Sequence, residues 1–308
     1  MLITIGAFDG FHKGHSELLR ICRENAYGDD WGVVTFHPHP SEFFGRFHPL
    51  FTLDEKELIR RVLKIPHMFV LKFDDGLMRM SPADFWKLLR ERFNVDGLVV
   101  GSDFRFGHGR AGSADSLREM AISDGVKRVI VADVVRKPEY SSSNVRRNIT
   151  AGNVEEARKI LGYPYFMMSR VIHGDERGRT MSFPTANLEA DSGKVLPSYG
   201  VYSCAVLVEG EWHCGALSIG NNPTFGDVDG TRAEVHILDF NGNVYGERLL
   251  TLILGRVRDI RTFDDKSALT AQISEDVSEC RKIYADEMRK GEIMRFSEAV
   301  LRAVRDVN

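Results

Sequence analysis

Gly6-Ala7-Phe8-Asp9-Gly10-Phe11-His12-Lys13-Gly14-His15 follows a short apolar run, Leu2–Gly6, and leads into the helix-like stretch His15–Asn25. Gly6 and Gly10 permit tight backbone paths. Gly14 lets a phosphate approach the start of the helix, where unpaired N–H groups and the helix dipole favour an anion. His12 and His15 are three residues apart, so on an incipient helix they share a face. Imidazoles there can donate hydrogen bonds to a phosphoryl group that gains charge in its transition state. A lone histidine at a strand end is more often a capping or packing residue. A pair set between strand and helix has no such packing purpose and points to chemistry. A metal reading would recruit His37 and His39. No carboxylate or thiol is spaced to complete that ligand set, and His37-Pro38-His39-Pro40 reads as a stiff strand exit.

Outward from this turn, strand-like and helix-like segments alternate. Trp31–Phe36, Met68–Phe73, Gly97–Gly101 and Val126–Val134 read as strands, and Glu55–Val62, Pro82–Phe93 and Ser113–Asp124 as helices. Such a rhythm predicts a Rossmann-like parallel sheet with helices on both faces, binding ligands at the carboxyl ends of its strands. Past Tyr165 the strand-like runs follow one another: Met167–Val171, Val201–Val208, Trp212–Ile219, Ala233–Asp239 and Leu249–Val257. Glu209-Gly210 and Asn241-Gly242 read as hairpin turns, so an antiparallel barrel or sandwich is expected. Lys266–Met288 reads as a closing helix. The boundary is expected near Glu156–Pro164, giving domains 1–163 and 164–308.

A chain of 308 residues exceeds what one core usually organises, which agrees with two domains. With 43% hydrophobic and 28% charged residues, the composition is that of a soluble globular protein. A net charge of −3 gives no electrostatic case for nucleic acid or an anionic membrane. No apolar run reaches the roughly 20 residues that span a bilayer, and no signal peptide is expected at Leu2–Ile5. Cys22, Cys204, Cys214 and Cys280 lie far apart without a Cys-x-x-Cys pair. That spacing favours reduced thiols in the cytoplasm over a disulfide framework or zinc site.

The Gly6–His15 stretch is similar to the signature of the HxGH nucleotidylyltransferases. Its setting resembles the prokaryotic bifunctional riboflavin kinase/FAD synthetase family. Thr35-Phe36-His37-Pro38-His39-Pro40, Val100-Gly101-Ser102-Asp103-Phe104-Arg105-Phe106-Gly107 and Ser141-Ser142-Ser143-Asn144-Val145-Arg146 match that family. The resemblance implies an N-terminal HxGH domain in which His12 and His15 are catalytic. Gly6, Phe8, Asp9, Gly14, Ser142, Ser143 and Arg146 would contact ATP there. Asp103, Phe104 and Phe106 would lie near the flavin, although by themselves they also fit a turn with two core phenylalanines. Arg146 by itself also fits an ordinary surface ion pair.

In the second half, the loop Gly174–Met181 leads to Ser182-Phe183-Pro184-Thr185-Ala186-Asn187. An arginine-bearing glycine loop followed by a hydroxyl and an amide suits a nucleotide phosphate with Mg²⁺, a cation that takes oxygen ligands and keeps several waters. This segment resembles the hallmark of the riboflavin kinase module. So do Gly200-Val201-Tyr202, Ile219–Phe225, Glu234–Phe240 and Tyr245-Gly246. The resemblance implies a β-barrel kinase with a closing helix, with Gly174, Arg179, Thr185 and Asn187 on ATP. Thr185 and Asn187 would hold Mg²⁺, and Glu234 would be the base for the riboflavin 5′-hydroxyl. Asp276 and Arg281 would be flavin contacts, or else solvated helix charges. Ser182, Ser169 and Ile260 depart from the family pattern, at positions where glycine, glycine and glutamate are common.

The expected activity is phosphorylation of riboflavin to FMN by ATP, then adenylylation of FMN by a second ATP to give FAD and pyrophosphate. Riboflavin, FMN and ATP are the expected partners, with no nucleic acid or membrane. Three rivals remain: a chain with one working activity, a different nucleotidylyltransferase acting on another phosphate acceptor, and a non-catalytic flavin-binding regulator. Intact His12, His15, Thr185, Asn187 and Glu234 speak against the regulator, which needs no base.

Overall fold

The computed structural model describes residues 1–45, 47–133, 139–173, 183–189, 193–221 and 231–305. The chain divides into two compact units, Met1–Ser141 and Ser142–Asn308.

The first unit runs β1 (Leu2–Ile5), α1 (Lys13–Asn25), β2 (Trp31–His37), α2 (Pro40–Phe43), α3 (Leu53–Val62), β3 (His67–Lys72) and α4 (Asp75–Arg79). It continues through α5 (Pro82–Phe93), β4 (Gly97–Gly101), β5 (Arg105–Phe106), β6 (Gly112–Ser113), α6 (Ala114–Ser123) and β7 (Arg128–Ala132). Five parallel strands form a sheet in the order β3-β2-β1-β4-β7. β1 is buried along its whole length, as a central strand with both faces covered must be. The chain moves from β1 to β2 on one side and later to β4 on the other. The carboxyl end of β1 is therefore the topological switch point, where open parallel sheets hold ligands. Gly6–His15 leaves the sheet there. Behind the turn, Ile3, Ile5, Val34, Leu71, Leu98 and Val100 join Phe85, Trp86 and Leu89 of α5 in the core.

The second unit comprises α7 (Ser142–Thr150), α8 (Val154–Leu161), β8 (Phe166–Ile172), β9 (Ala186–Leu188), β10 (Gly200–Val208) and β11 (Glu211–Asn221). It ends with β12 (Thr231–Ile237), β13 (Arg248–Arg258), α9 (Lys266–Met288) and α10 (Gly291–Arg305). Its strands close an antiparallel barrel in the order β10-β11-β12-β9-β8-β13. The Glu209-Gly210 turn has φ values of +50° and +83° and closes the β10–β11 hairpin as expected. Asn241-Gly242 does not make a hairpin. β12 pairs with β11 and β9, and β13 crosses over to pair with β10 and β8. β10 is buried on both faces, with the barrel interior on one side and α9 on the other, where Ser203 Oγ donates to the Cys280 carbonyl at 2.9 Å.

The helices α7 and α8 pack with the barrel. Glu155 Oε1 accepts from the Arg256 N–H at 3.2 Å, Arg256 Nη1 donates to the Ala151 carbonyl at 3.1 Å, and Arg158 pairs with Glu287 of α9 at 2.7 Å. The compact division thus falls ahead of Glu156–Pro164, because the amphipathic stripe of α8 has β13 to bury against. α10 adds a helix that the periodicity did not reveal, and its Phe296 stacks on Tyr163 with centroids 5.0 Å apart.

Candidate active sites

The turn after β1 is held in an unusual backbone path. Phe8, Gly10 and Phe11 have φ of +42°, +91° and +38°, a region that only glycine enters without strain. Phe8 and Phe11 are buried and stacked, 5.3 Å between centroids, so packing fixes what the backbone resists. Asp9 is also buried, and its Oδ1 accepts from the Leu50 N–H at 2.9 Å. The turn ends at His12, the N-cap of α1, whose Nδ1 accepts from the Gly14 N–H at 3.1 Å. That bond places the ring proton of neutral His12 on Nε2. Burial of His12, at 5% exposure, lowers its pKa to about 4. The imidazole is therefore a neutral donor at physiological pH.

His15 lies one turn on, its ring stacked on His12 with centroids 3.9 Å apart and the edge of Phe8 5.1 Å away. Gly14 is required by space: a Cβ there would sit 2.5 Å from the Tyr140 carbonyl oxygen and 2.9 Å from His12 Cε1. At Gly6 a Cβ would press on the Phe8 ring at 3.3 Å. Phe8 thus backs the histidines, and Asp9 ties the turn to the Leu50 loop. Phe106 is a core residue packed on Phe85, half-buried Phe104 stacks against it at 5.5 Å, and Asp103 is exposed. Ser142, Ser143 and Arg146 lie on the first turns of α7, in the second unit.

A separate cluster forms on the outer face of the barrel. Along β9, Ala186 and Leu188 point inward, so Asn187 and the preceding Thr185 point outward. Along β12, Ala233 and Val235 are inside and Glu234 outside. The register sets Glu234 directly opposite Asn187, and Thr185 Oγ1 donates to Glu234 Oε2 at 3.4 Å. His236, which the sequence reading gave no role, holds the Pro184 carbonyl with Nδ1 at 2.7 Å and so orients the Pro-Thr-Ala-Asn entry. A cavity of about 400 Å³ opens beside Thr185, lined also by Pro184, Phe240 and Tyr245. Its walls include the inward-facing Ala186, Val235 and Ile237, and of Thr185, Asn187 and Glu234 only Thr185 lines it. Gly174, Arg179 and Ser182 lie outside the described residues.

Asp276 and Arg281 are both engaged in ion pairs. Arg258 grips both oxygens of buried Asp276 at 2.7 Å, a bidentate partner that the sequence reading missed. Arg281 pairs in the same fork geometry with exposed Asp239, at 2.6 and 2.8 Å. Ser169 is buried in β8 and Ile260 is exposed beyond β13.

Oxygen donors from a hydroxyl, an amide and a carboxylate converge at the barrel cluster, a hard donor set that fits Mg²⁺. Among the described residues, no group of three or more His, Cys, Asp or Glu is placed to hold a metal by itself.

Residues 1–145 match the FAD synthetase family model, and residues 161–284 match the riboflavin kinase model. The chain is 35% identical over 292 residues to the bifunctional riboflavin kinase/FMN adenylyltransferase of Listeria monocytogenes, covering 92% of each chain. It is 32% identical over 297 residues to the Escherichia coli K12 protein of the same description, again covering 92% of each. A solved structure described as a macrolide-efflux protein from Streptococcus pneumoniae superposes with a TM-score of 0.80 at 31% identity, covering 91% of this chain and 93% of that one. No helix among the described residues is long and apolar enough to cross a membrane. The chain belongs to the bifunctional riboflavin kinase/FMN adenylyltransferase family, converting riboflavin to FMN and FMN to FAD with ATP.

Proposed function

We propose that the two reactions are divided between the two clusters, with adenylyl transfer assigned to residues 1–163 and the kinase to 164–308. The observation that carries the kinase assignment is the Glu234 carboxylate at 3.4 Å from Thr185 Oγ1 and opposite Asn187. Glu234 accepts the proton of the riboflavin 5′-hydroxyl as that oxygen bonds to the γ-phosphorus of ATP and the bond to ADP breaks. Thr185 and Asn187 hold Mg²⁺ with the nucleotide, and the ion neutralises phosphate charge when bound. Gly174 and Arg179 are assigned to the same nucleotide on the family resemblance alone.

At the other site, an FMN phosphate oxygen bonds to the α-phosphorus of a second ATP and pyrophosphate leaves. No covalent enzyme intermediate is needed, because the nucleophile belongs to the substrate. His12, a neutral donor, and His15 stabilise the charge that develops on the phosphates. Gly6 and Gly14 keep the approach open, and Phe8 and Asp9 fix the turn. Asp103 and Phe104 border the flavin, while Phe106 packs in the core. Asp276 and Arg281 act on the flavin through the ion pairs that orient them. Reduced Cys22, Cys204, Cys214 and Cys280, all free thiols, support a cytoplasmic enzyme.

Glu234→Gln tests the division. It should stop FMN formation from riboflavin while FAD formation from supplied FMN continues. Near-normal kinase turnover in that variant rules out Glu234 as the base.

A further inference from the structure

Lys56 sits in the first turn of α3, with the helix capped by Thr52 and Glu55. It looks like a surface residue of an amphipathic helix, yet it is only 4% exposed. Lysine is almost never buried without a partner or a task. Its Nζ donates to the Ala7 carbonyl at 3.1 Å. Thr35 Oγ1, at the buried end of β2, donates to the same carbonyl at 2.9 Å. Ala7 is the last residue before the strained Phe8–Phe11 path, and that path ends on His12. Two side chains thus pin the upstream end of the turn whose downstream end carries the histidine pair.

The bond from Nζ to a carbonyl that Thr35 also holds separates this lysine from an ordinary packing residue. A charged donor makes a hydrogen bond roughly twice as strong as a neutral one. Burial pushes the Lys56 ammonium's pKa down, and the carboxylates of Asp9 and Glu42 pull it back up. A buried charge is also poor stabilising material, since an apolar side chain of similar size often serves stability as well or better. A charge kept beneath the phosphate-facing turn is better explained by what it positions.

We propose that Lys56 is a positioning residue for adenylyl transfer, its ammonium clamping the Ala7 carbonyl so that the turn holds His12 and His15 in register with the phosphates. The proposal rests on the assignment of the histidine pair to that reaction. Misplacing a catalytic group by about 1 Å costs on the order of 100-fold in rate.

The test is steady-state FAD formation from FMN and Mg-ATP by full-length Lys56→Met, with FMN formation from riboflavin measured on the same preparation. The expected result is a kcat for FAD formation lower by roughly 30- to 100-fold, with the KM for ATP within about threefold of wild type and kinase turnover unchanged. Lys56→Arg, which keeps a charged donor, should recover most of the loss. A Lys56→Met kcat within about threefold of wild type overturns the proposal, as does an arginine variant no faster than the methionine one. If Lys56→Met does not fold, Thr35→Val removes the other donor on the same carbonyl. A fall in kcat at constant KM then supports the proposal, and an unchanged kcat overturns it. His15→Ala in the same assay separates the two levels. If it still makes FAD, the assignment beneath the proposal fails and the proposal with it. If it does not, while Lys56→Met is normal, only the role of Lys56 falls.

Discussion

The rings of His12 and His15 stack with centroids 3.9 Å apart and planes inclined by 23°. Two protonated imidazoles could not share that spacing without strong repulsion. The low His12 pKa, about 4, removes the conflict. His12 is therefore neutral at physiological pH.

That state has a consequence for stability. Unfolded, His12 takes up a proton near pH 6.5; folded, it does so only near pH 4. Between these values the unfolded chain binds more protons, so the contribution is complete above about pH 6.5 and is lost as the pH falls towards 4. The full span amounts to roughly 3 kcal/mol. Urea unfolding of wild type and His12→Asn should show wild type losing about that much more than the variant between pH 7 and pH 4. Parallel losses in the two proteins would remove the buried neutral histidine from the account.

Gly14→Ala should be severe for one reaction alone. The new methyl would meet the Tyr140 carbonyl at 2.5 Å and the His12 ring at 2.9 Å, and backbone gives way less easily than a side-chain end. FAD formation from FMN should drop by on the order of 100-fold. FMN formation from riboflavin should stay near wild type. Equal rates of FAD formation in the two proteins would show that this approach is not as tight as the structure has it.

The turn at Gly6–His15 was legible from its glycines, Gly10 at φ +91° and Gly14 where a Cβ has no room. Pro82–Phe93 was legible for a different reason: Ser81 caps it, Pro82 opens it, and Asn94 closes it in the left-handed conformation at φ +47°. Lys266–Met288 matched α9 residue for residue. Four features were not legible. Lys56 has the sequence context of an exposed helix face, and only the fold reveals that the face is covered. The placement of α7 and α8 depends on Arg256 and Glu155, about a hundred residues apart in the chain. Asn241-Gly242 carries the local chemistry of a hairpin, but barrel closure sends β13 to other partners. The role of Arg258 is set by Asp276, which reaches it from a different element.

The Arg258–Asp276 pair gives a stability prediction. Their side chains are 12% and 6% exposed, and the contact is bidentate. Removing one partner of a buried pair strands the other charge, at a cost of about 3–5 kcal/mol. Asp276→Ala should lower the urea-unfolding free energy of the full chain by that order. Wild-type stability in that variant would contradict the cost of stranding Arg258.

The most direct test of the two-site account is the flavin product spectrum of His15→Ala. The full-length variant is incubated with riboflavin, Mg²⁺ and ATP, and the flavins are separated by chromatography over time. The account predicts that FMN accumulates at the wild-type rate and no FAD follows. FAD appearing at the wild-type rate, or FMN and FAD lost together, would contradict it.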